Sequence, residues 1–259
     1  MKQQGASGMV LDDLSLKGKV ALITGGGSGI GGGITRGLAE AGASIACVYG
    51  HHEPTEMRQY IESIGGEFLP IHADVSDMKA LPVIMEKTLE QYGRLDILVN
   101  NAGICPRCSA LEYTEEMWDQ IIQLNQKSVF FLSQLAARQF VKQKSRGKII
   151  NLASMMSFLG GFNTTAYTAS KSAVAGLTRV CASEWGALGI NVNALAPGWS
   201  KRVFLRRWWQ IRRGMNRSKP AFRWGTGASR TFLRGLRFCW PAAHPTISTA
   251  QSFRWMADT

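Results

Sequence analysis

Residues 20–31 read Val20-Ala21-Leu22-Ile23-Thr24-Gly25-Gly26-Gly27-Ser28-Gly29-Ile30-Gly31. A short apolar run breaks into a string holding Gly25, Gly26, Gly27, Gly29 and Gly31, and an amphipathic stretch follows to about Ala41. The apolar run predicts a strand and the stretch a helix. Glycines allow positive φ and let the backbone come close to a pyrophosphate. Free N–H groups at the start of a helix, with the helix dipole, favour an anion there. Many such strings are only tight turns; this one gains weight from its place at a strand-to-helix junction.

The same alternation continues outward. Strands are expected at 20–24, 44–49, 68–72, 95–99, 148–152 and 191–195, and helices at 56–63, 78–92, 115–142 and 166–188. Strands alternating with helices make βαβ units and a parallel sheet covered on both faces. Right-handed crossovers then give an α/β fold with a doubly wound parallel sheet of Rossmann type, in three α/β/α layers. Residues 1–14 are expected to form an N-terminal arm, 15–199 a dinucleotide-binding and catalytic domain, and 200–259 an aberrant basic segment.

Composition narrows the function class. The 259 residues are 45% hydrophobic and 19% charged, enough apolar surface for a sizeable core, which excludes wholesale disorder. The net charge of +12 would suggest nucleic acid or an anionic membrane. Its location argues otherwise. Residues 1–199 carry 17 Lys/Arg and 17 Asp/Glu, whereas residues 200–259 carry 13 basic residues and the single acid Asp258. Five scattered cysteines do not form a secreted disulfide framework. With no apolar signal segment at the start and no run of ~20 apolar residues, the chain is expected to be cytoplasmic, without a membrane span. Cys105-Pro106-Arg107-Cys108 lacks the second ligand pair a structural zinc needs and reads as two incidental loop thiols near the active-site mouth; no metal is expected.

Further motifs fall in a telling order: Ala73-Asp74-Val75 after the third strand, Asn100-Asn101-Ala102-Gly103 after the fourth, and Asn125 in the long helix. Ser154 lies thirteen residues before Tyr167-Thr168-Ala169-Ser170-Lys171, and Pro197-Gly198 follows the sixth strand. With the Thr24–Gly31 turn, this set resembles the short-chain dehydrogenase/reductase family over roughly residues 15–199. The resemblance implies a catalytic tetrad of Asn125, Ser154, Tyr167 and Lys171. It also implies a nicotinamide cofactor held by Thr24, Gly25, Ser28, Gly29, Ile30, Gly31, Tyr49, Asp74, Val75, Asn101, Ala102, Gly103, Tyr167, Lys171, Pro197 and Gly198.

Tyr167 and Lys171 stand at i and i+4, on one helix face. A free tyrosine, with a pKa of about 10, is a poor base at neutral pH. A neighbouring ammonium favours the phenolate, so the spacing is expected to make a tunable acid/base. The resemblance further implies that Tyr167 exchanges a proton with an alcohol or ketone substrate, that Ser154 holds the substrate oxygen, that Lys171 binds the nicotinamide ribose, and that Asn125 supports a proton-carrying water.

Cofactor choice is read at the end of the second strand, where an acid selects NAD and a basic residue NADP. Tyr49 stands there and Ser28 in the turn, so no fixed positive charge awaits a 2′-phosphate. NAD is expected; His51 or His52, when protonated, leaves NADP open. Residues 147–171, the Glu53-Pro54 pair and Ser128-Val129-Phe130-Phe131 are similar to the family's sugar-acid branch, with its 2-deoxy-D-gluconate 3-dehydrogenases and gluconate 5-dehydrogenases. The family's usual assembly is a homotetramer or homodimer.

After Gly198 the family pattern stops, and the chain becomes basic and aromatic with no clean period. Dropping two nucleotides restores it. Trp255-Met256 is encoded TGG-ATG, which forces Asp in the shifted frame; Met256-Ala257 forces Gly; the flanking codons permit Val and Gly. The resulting V-D-G-G is the family's terminal motif, and Ser229–Phe232 permits E-D-L upstream of it. The tail therefore reads as the family's C-terminus translated out of frame from about Ser200, a change expected to perturb stability, assembly and turnover. The alternative is a non-catalytic, dehydrogenase-like scaffold whose tail binds nucleic acid or anionic lipid.

Overall fold

All five residues of β1 (Val20–Thr24) are buried, as a strand covered on both faces requires. The computed structural model describes residues 15–198; the predicted arm at 1–14 and the tail with its change of frame lie outside the described residues. Beside β1 lie β2 (Ser44–Tyr49), β3 (Phe68–His72), β4 (Ile97–Asn100), β5 (Gly147–Leu152) and β6 (Ile190–Leu195). They form one sheet in the order β3-β2-β1-β4-β5-β6, every pairing parallel. The chain leaves β1 first toward β2 and β3, then returns to its other side at β4. That reversal opens a crevice at the carboxyl ends of β1 and β4, where ligands of such sheets bind.

Strand alternation splits the core in two. On one face Leu22, Val48, Leu98, Ile149 and Val192 pack with Leu81 and Ile84 of α3 (Ala80–Tyr92) and Leu132 and Phe140 of α5 (Ser128–Lys142). On the other, Ile23, Ile45, Cys47 and Val99 pack with Ala39 of α1 (Gly29–Glu40) and Ile61 of α2 (Thr55–Ser63). The last described helix, α6 (Thr165–Trp185), lies against β6 and is followed by a 3-10 turn at Gly186–Leu188.

One expected element is different. The single helix at 115–142 is two, α4 (Glu115–Ile122) and α5, joined by a π-turn at Gln123–Lys127. Apolar periodicity continues through both pieces, so the pattern does not show the extra residue of a π-turn. Such insertions favour functional sites, and Asn125 sits at its centre.

Gly147 shows how closely α5 meets the sheet: a β-carbon there would overlap the ring of Phe140, itself fully buried. Gly147→Ala should therefore lower the unfolding free energy by about 1–3 kcal/mol, the cost of overpacking a core. Denaturant unfolding checks this, and adding Phe140→Leu should recover part of the loss.

Candidate active site

The glycine turn and the Asn101 loop are locked together across the crevice. Thr24 ends β1 opposite Asn100 of β4. The Thr24 hydroxyl accepts hydrogen bonds from the backbone N–H of Asn101 and of Ala102, both at 3.0 Å. The Asn101 amide donates back to the carbonyls of Thr24 at 3.0 Å and Gly25 at 2.9 Å. Gly25 and Gly29 take left-handed φ values of +64° and +57°, which a β-carbon would strain. Gly31 has no room for a side chain, because Asn101 and the Gly25 carbonyl lie against it.

Ser28 caps α1 in an extended conformation, and its hydroxyl makes no capping bond. Ser28, Gly29 and Ile30 are exposed. The first N–H groups of a helix have no intrahelical acceptor, so α1 presents an uncovered set of donors at the crevice. These features fit a dinucleotide pyrophosphate. Tyr49 and the Asp74-Val75 pair end β2 and follow β3 at the same edge of the sheet, where adenosine would lie. Pro197 and Gly198 follow β6. The Pro197 carbonyl accepts from the Met155 N–H at 3.1 Å, tying that segment to the turn after Ser154.

Asn125, fully buried, clamps the loop after Gly103. Its Oδ1 accepts from the Ile104 N–H at 2.9 Å, and its Nδ2 donates to the Ile104 carbonyl at 2.8 Å and to Ser170 Oγ at 3.3 Å. The Asn125 side-chain amide thus positions this loop against α6. Ser170 in turn donates to the Tyr167 carbonyl at 2.7 Å.

Ser154 opens a 3-10 turn after β5 and accepts from the Met156 N–H at 3.2 Å. Its hydroxyl lies near enough to the Tyr167 phenol to favour the phenolate. Lys171 is only 5% exposed; its Nζ donates to the Leu152 carbonyl at 2.5 Å and stands 5.9 Å from the centre of the Tyr167 ring. Ser157 supports the group from behind, donating to the Lys171 carbonyl at 2.6 Å and accepting from the Ser154 N–H at 3.3 Å. The structure brings Asn125, Ser154, Tyr167 and Lys171 to one end of the sheet.

The electrostatics correct one expectation. Burial pushes the Tyr167 phenol up, and the Ser154 hydroxyl, favouring the phenolate, pulls it part of the way back. Burial also brings Lys171 down, to about 8. A buried ammonium is costly, and this one faces a carbonyl dipole with no carboxylate partner among the described residues.

The sequence placed Cys105 as a loop thiol near the mouth of the site. It is exposed in the loop after Gly103, yet close enough that its charge acts on both Tyr167 and Lys171. Burial of the thiol pushes it up, while Arg107 and Lys171 work the other way. Cys108 is held by a bridge to Thr164 and by its N–H on the Asn163 carbonyl at 3.2 Å, so the Cys-x-x-Cys loop docks beside the start of α6. Among the described residues no group of three His, Cys, Asp or Glu could hold a metal, and no described helix is long and apolar enough to cross a membrane.

Comparison with known proteins agrees with this geometry. Residues 19–210 match the short chain dehydrogenase family. The chain is 49% identical over 223 residues to a 2-dehydro-3-deoxy-D-gluconate 5-dehydrogenase of Dickeya dadantii, covering 84% of this chain and 87% of that one. A crystal structure with bound NADP from Agrobacterium tumefaciens, assigned as a 2-deoxy-D-gluconate 3-dehydrogenase, superimposes with a TM-score of 0.69 at 39% identity, over 78% of this chain and 80% of that one. Another with NADP at low occupancy, from Beutenbergia cavernae and assigned as an NAD(P)-dependent gluconate 5-dehydrogenase, gives 0.70 at 38% identity, over 78% and 81%.

A base must lose its proton before it can accept one, so alcohol oxidation should climb with pH as Tyr167 ionises. The climb should change slope near 8, where Lys171 loses its charge. A pH profile of kcat/KM checks this, and Lys171→Met should abolish the change of slope.

Proposed function

The chain belongs to the short-chain dehydrogenase/reductase family of NAD(P)-dependent oxidoreductases, and we propose that it moves a hydride between a nicotinamide dinucleotide and a hydroxyl or keto group of a deoxygluconate-type sugar acid. The observation that carries this reading is the Ser154–Tyr167 hydroxyl pair beside a buried Lys171, at the same end of the sheet as the glycine turn. The relatives' substrates supply the sugar-acid part of the proposal.

The backbone N–H groups at Ser28–Gly31 would hold the pyrophosphate, Tyr49, Asp74 and Val75 the adenosine, and Asn101, Ala102, Gly103, Lys171, Pro197 and Gly198 the nicotinamide half. When bound, the dinucleotide supplies or accepts the hydride. Tyr167 gives its proton to the substrate oxygen in reduction and takes it back in oxidation, while Ser154 donates a hydrogen bond to that oxygen. Lys171 holds a positive charge beneath the phenol at and below about pH 8. Asn125 keeps Gly103 and Ile104 in place against α6. The complete tetrad favours catalysis over a scaffold role.

The reading extends to the tail. The forced Asp and Gly codons and the V-D-G-G they permit are what support a change of frame near Ser200. It leaves the family's last strand and substrate cover uncoded, with exposed sheet edge and apolar surface as the cost.

Purified chain should reduce or oxidise a panel of keto- and hydroxy-gluconates with NAD or NADP, and Tyr167→Phe should lower turnover by about 10²–10⁴-fold, the usual contribution of acid–base catalysis. Activity equal in the variant would remove Tyr167 from the reaction. Sequencing across Ser200 should find the alternative frame open to V-D-G-G, and the frame-restored chain should exceed the tail-bearing one in both turnover and melting temperature. Full, saturable turnover by protein verified by mass to carry the tail would contradict that part.

A further inference from the structure

A buried hydroxyl beneath the glycine turn has no partner among the described residues, and the reaction does not use it. Thr35 lies on the inner face of α1 with Gly31, Gly32 and Ala39. It is 0% exposed, and its Oγ1 makes no hydrogen bond to any described residue. The other buried serines and threonines of the described helices behave differently. Thr88, Ser128 and Thr178 each donate to the carbonyl four residues back, those of Ile84, Leu124 and Val174, at 2.8, 2.5 and 2.7 Å. Ser133 accepts from the Asn100 amide at 2.9 Å, and Ser170 donates to the Tyr167 carbonyl at 2.7 Å. An unpaired buried hydroxyl is costly, so one that persists calls for a reason.

Its place supplies one. A β-carbon on Gly26 would lie 2.6 Å from Thr35 Oγ1, 3.0 Å from Cys47 Sγ and 3.1 Å from Ile23 Cγ2, so these three side chains meet the underside of the turn at Gly26. Ile23 has no hydrogen-bonding atom in its side chain. Cys47 is fully buried, its thiol pushed up to about 12 by that burial, and neutral sulfur is a weak acceptor. The turn is fixed on either side of this point. The Gly25 N–H donates to the Val48 carbonyl at 2.8 Å, and the Gly25 carbonyl is held by Asn101. Further on, the Gly32 N–H reaches the Ser28 carbonyl at 2.8 Å. Between these ties, Gly26 and Gly27 carry no side chain, so the peptide joining them can swing at little steric cost. No described peptide bond is cis, and in a trans peptide the C=O and the N–H point opposite ways. A Gly27 N–H turned outward to an anion therefore turns the Gly26 carbonyl inward, to the side where Thr35 lies.

Resting on the reading of the Gly25–Gly31 turn as a dinucleotide site, we propose that Thr35 is a positioning residue of that turn: its hydroxyl, unpaired in the free chain, donates to the Gly26 carbonyl when a dinucleotide pyrophosphate draws the Gly27 N–H outward. The free chain carries the cost of an unpaired hydroxyl, and binding relieves it. The hydroxyl thus interacts differently with the two states of the turn, which is what lets it favour the bound one. Thr35 acts from beneath, through the backbone, and does not touch the dinucleotide. Glycine at position 26 belongs to the same device, because a β-carbon there would collide with the hydroxyl.

Calorimetric titration of the full chain with NAD and with NADP, beside thermal melting of the free chain, tests this apart from turnover. Thr35→Val keeps the shape of the side chain and removes the hydroxyl. The free variant should melt about 2–4 °C higher, because a buried unpaired group is gone. Its Kd for whichever dinucleotide binds the unchanged chain should rise about five- to tenfold, the loss of one hydrogen bond in the complex. Thr35→Ser keeps the hydroxyl and should bind as the unchanged chain does. A purely structural hydroxyl would move both readouts together, with a lower melting temperature and weaker binding. That result, an unchanged Kd in Thr35→Val, or an equal loss of binding in Thr35→Ser overturns the positioning role and leaves the dinucleotide site standing. Failure of the unchanged chain to bind either dinucleotide overturns the reading of the turn, and the role of Thr35 with it.

Discussion

The contact between Thr24 and Asn101 is what makes one site of two loops. A turn with left-handed glycines leaves carbonyls that cannot join a regular ladder, and an unpaired buried carbonyl is costly. The Asn101 amide meets the carbonyls of Thr24 and Gly25, and the Thr24 hydroxyl gathers the N–H groups of Asn101 and Ala102. Because β1 and β4 are neighbours only through the reversal of strand order, this latch spans residues far apart in sequence. It fixes the glycine turn relative to the loop that leads, through Ile104 and Asn125, to α6.

Burial governs the chemistry on that helix. Lys171 and Asn125 are polar groups with almost no contact with water, so each must find partners inside. Asn125 finds them in Ile104 and Ser170; Lys171 finds the Leu152 carbonyl. The result is a rigid arrangement whose ionisation is set by desolvation first and by neighbouring charge second. A tyrosine raised by burial is a ready acid, and its use as a base depends on groups that favour the phenolate, of which Ser154 is one.

Most of the fold could be read from residue order alone, because buried parallel strands leave continuous apolar runs and crossover helices leave period-3.6 stripes. The predicted strands at 20–24, 44–49 and 68–72 match β1, β2 and β3. The π-turn could not be read, since one extra residue in a helix changes hydrogen bonding and not hydropathy. Motif spacing placed Ser154, Tyr167 and Lys171 together but gave the wrong leading influence on Tyr167, because spacing carries no information about how deeply a group is buried. The sequence put Cys105 near the mouth of the site, but how its loop docks depends on Cys108 meeting Asn163 and Thr164, a long-range contact without a local pattern.

The central claim is that one crevice, between the ends of β1 and β4, holds both the dinucleotide and the catalytic tyrosine. Crystallography of the full chain with a bound nicotinamide dinucleotide tests it most directly. The account predicts the pyrophosphate at the N–H groups of Ser28–Gly31 and the nicotinamide end beside Tyr167. A dinucleotide bound elsewhere, or with its nicotinamide turned away from Tyr167, would contradict it.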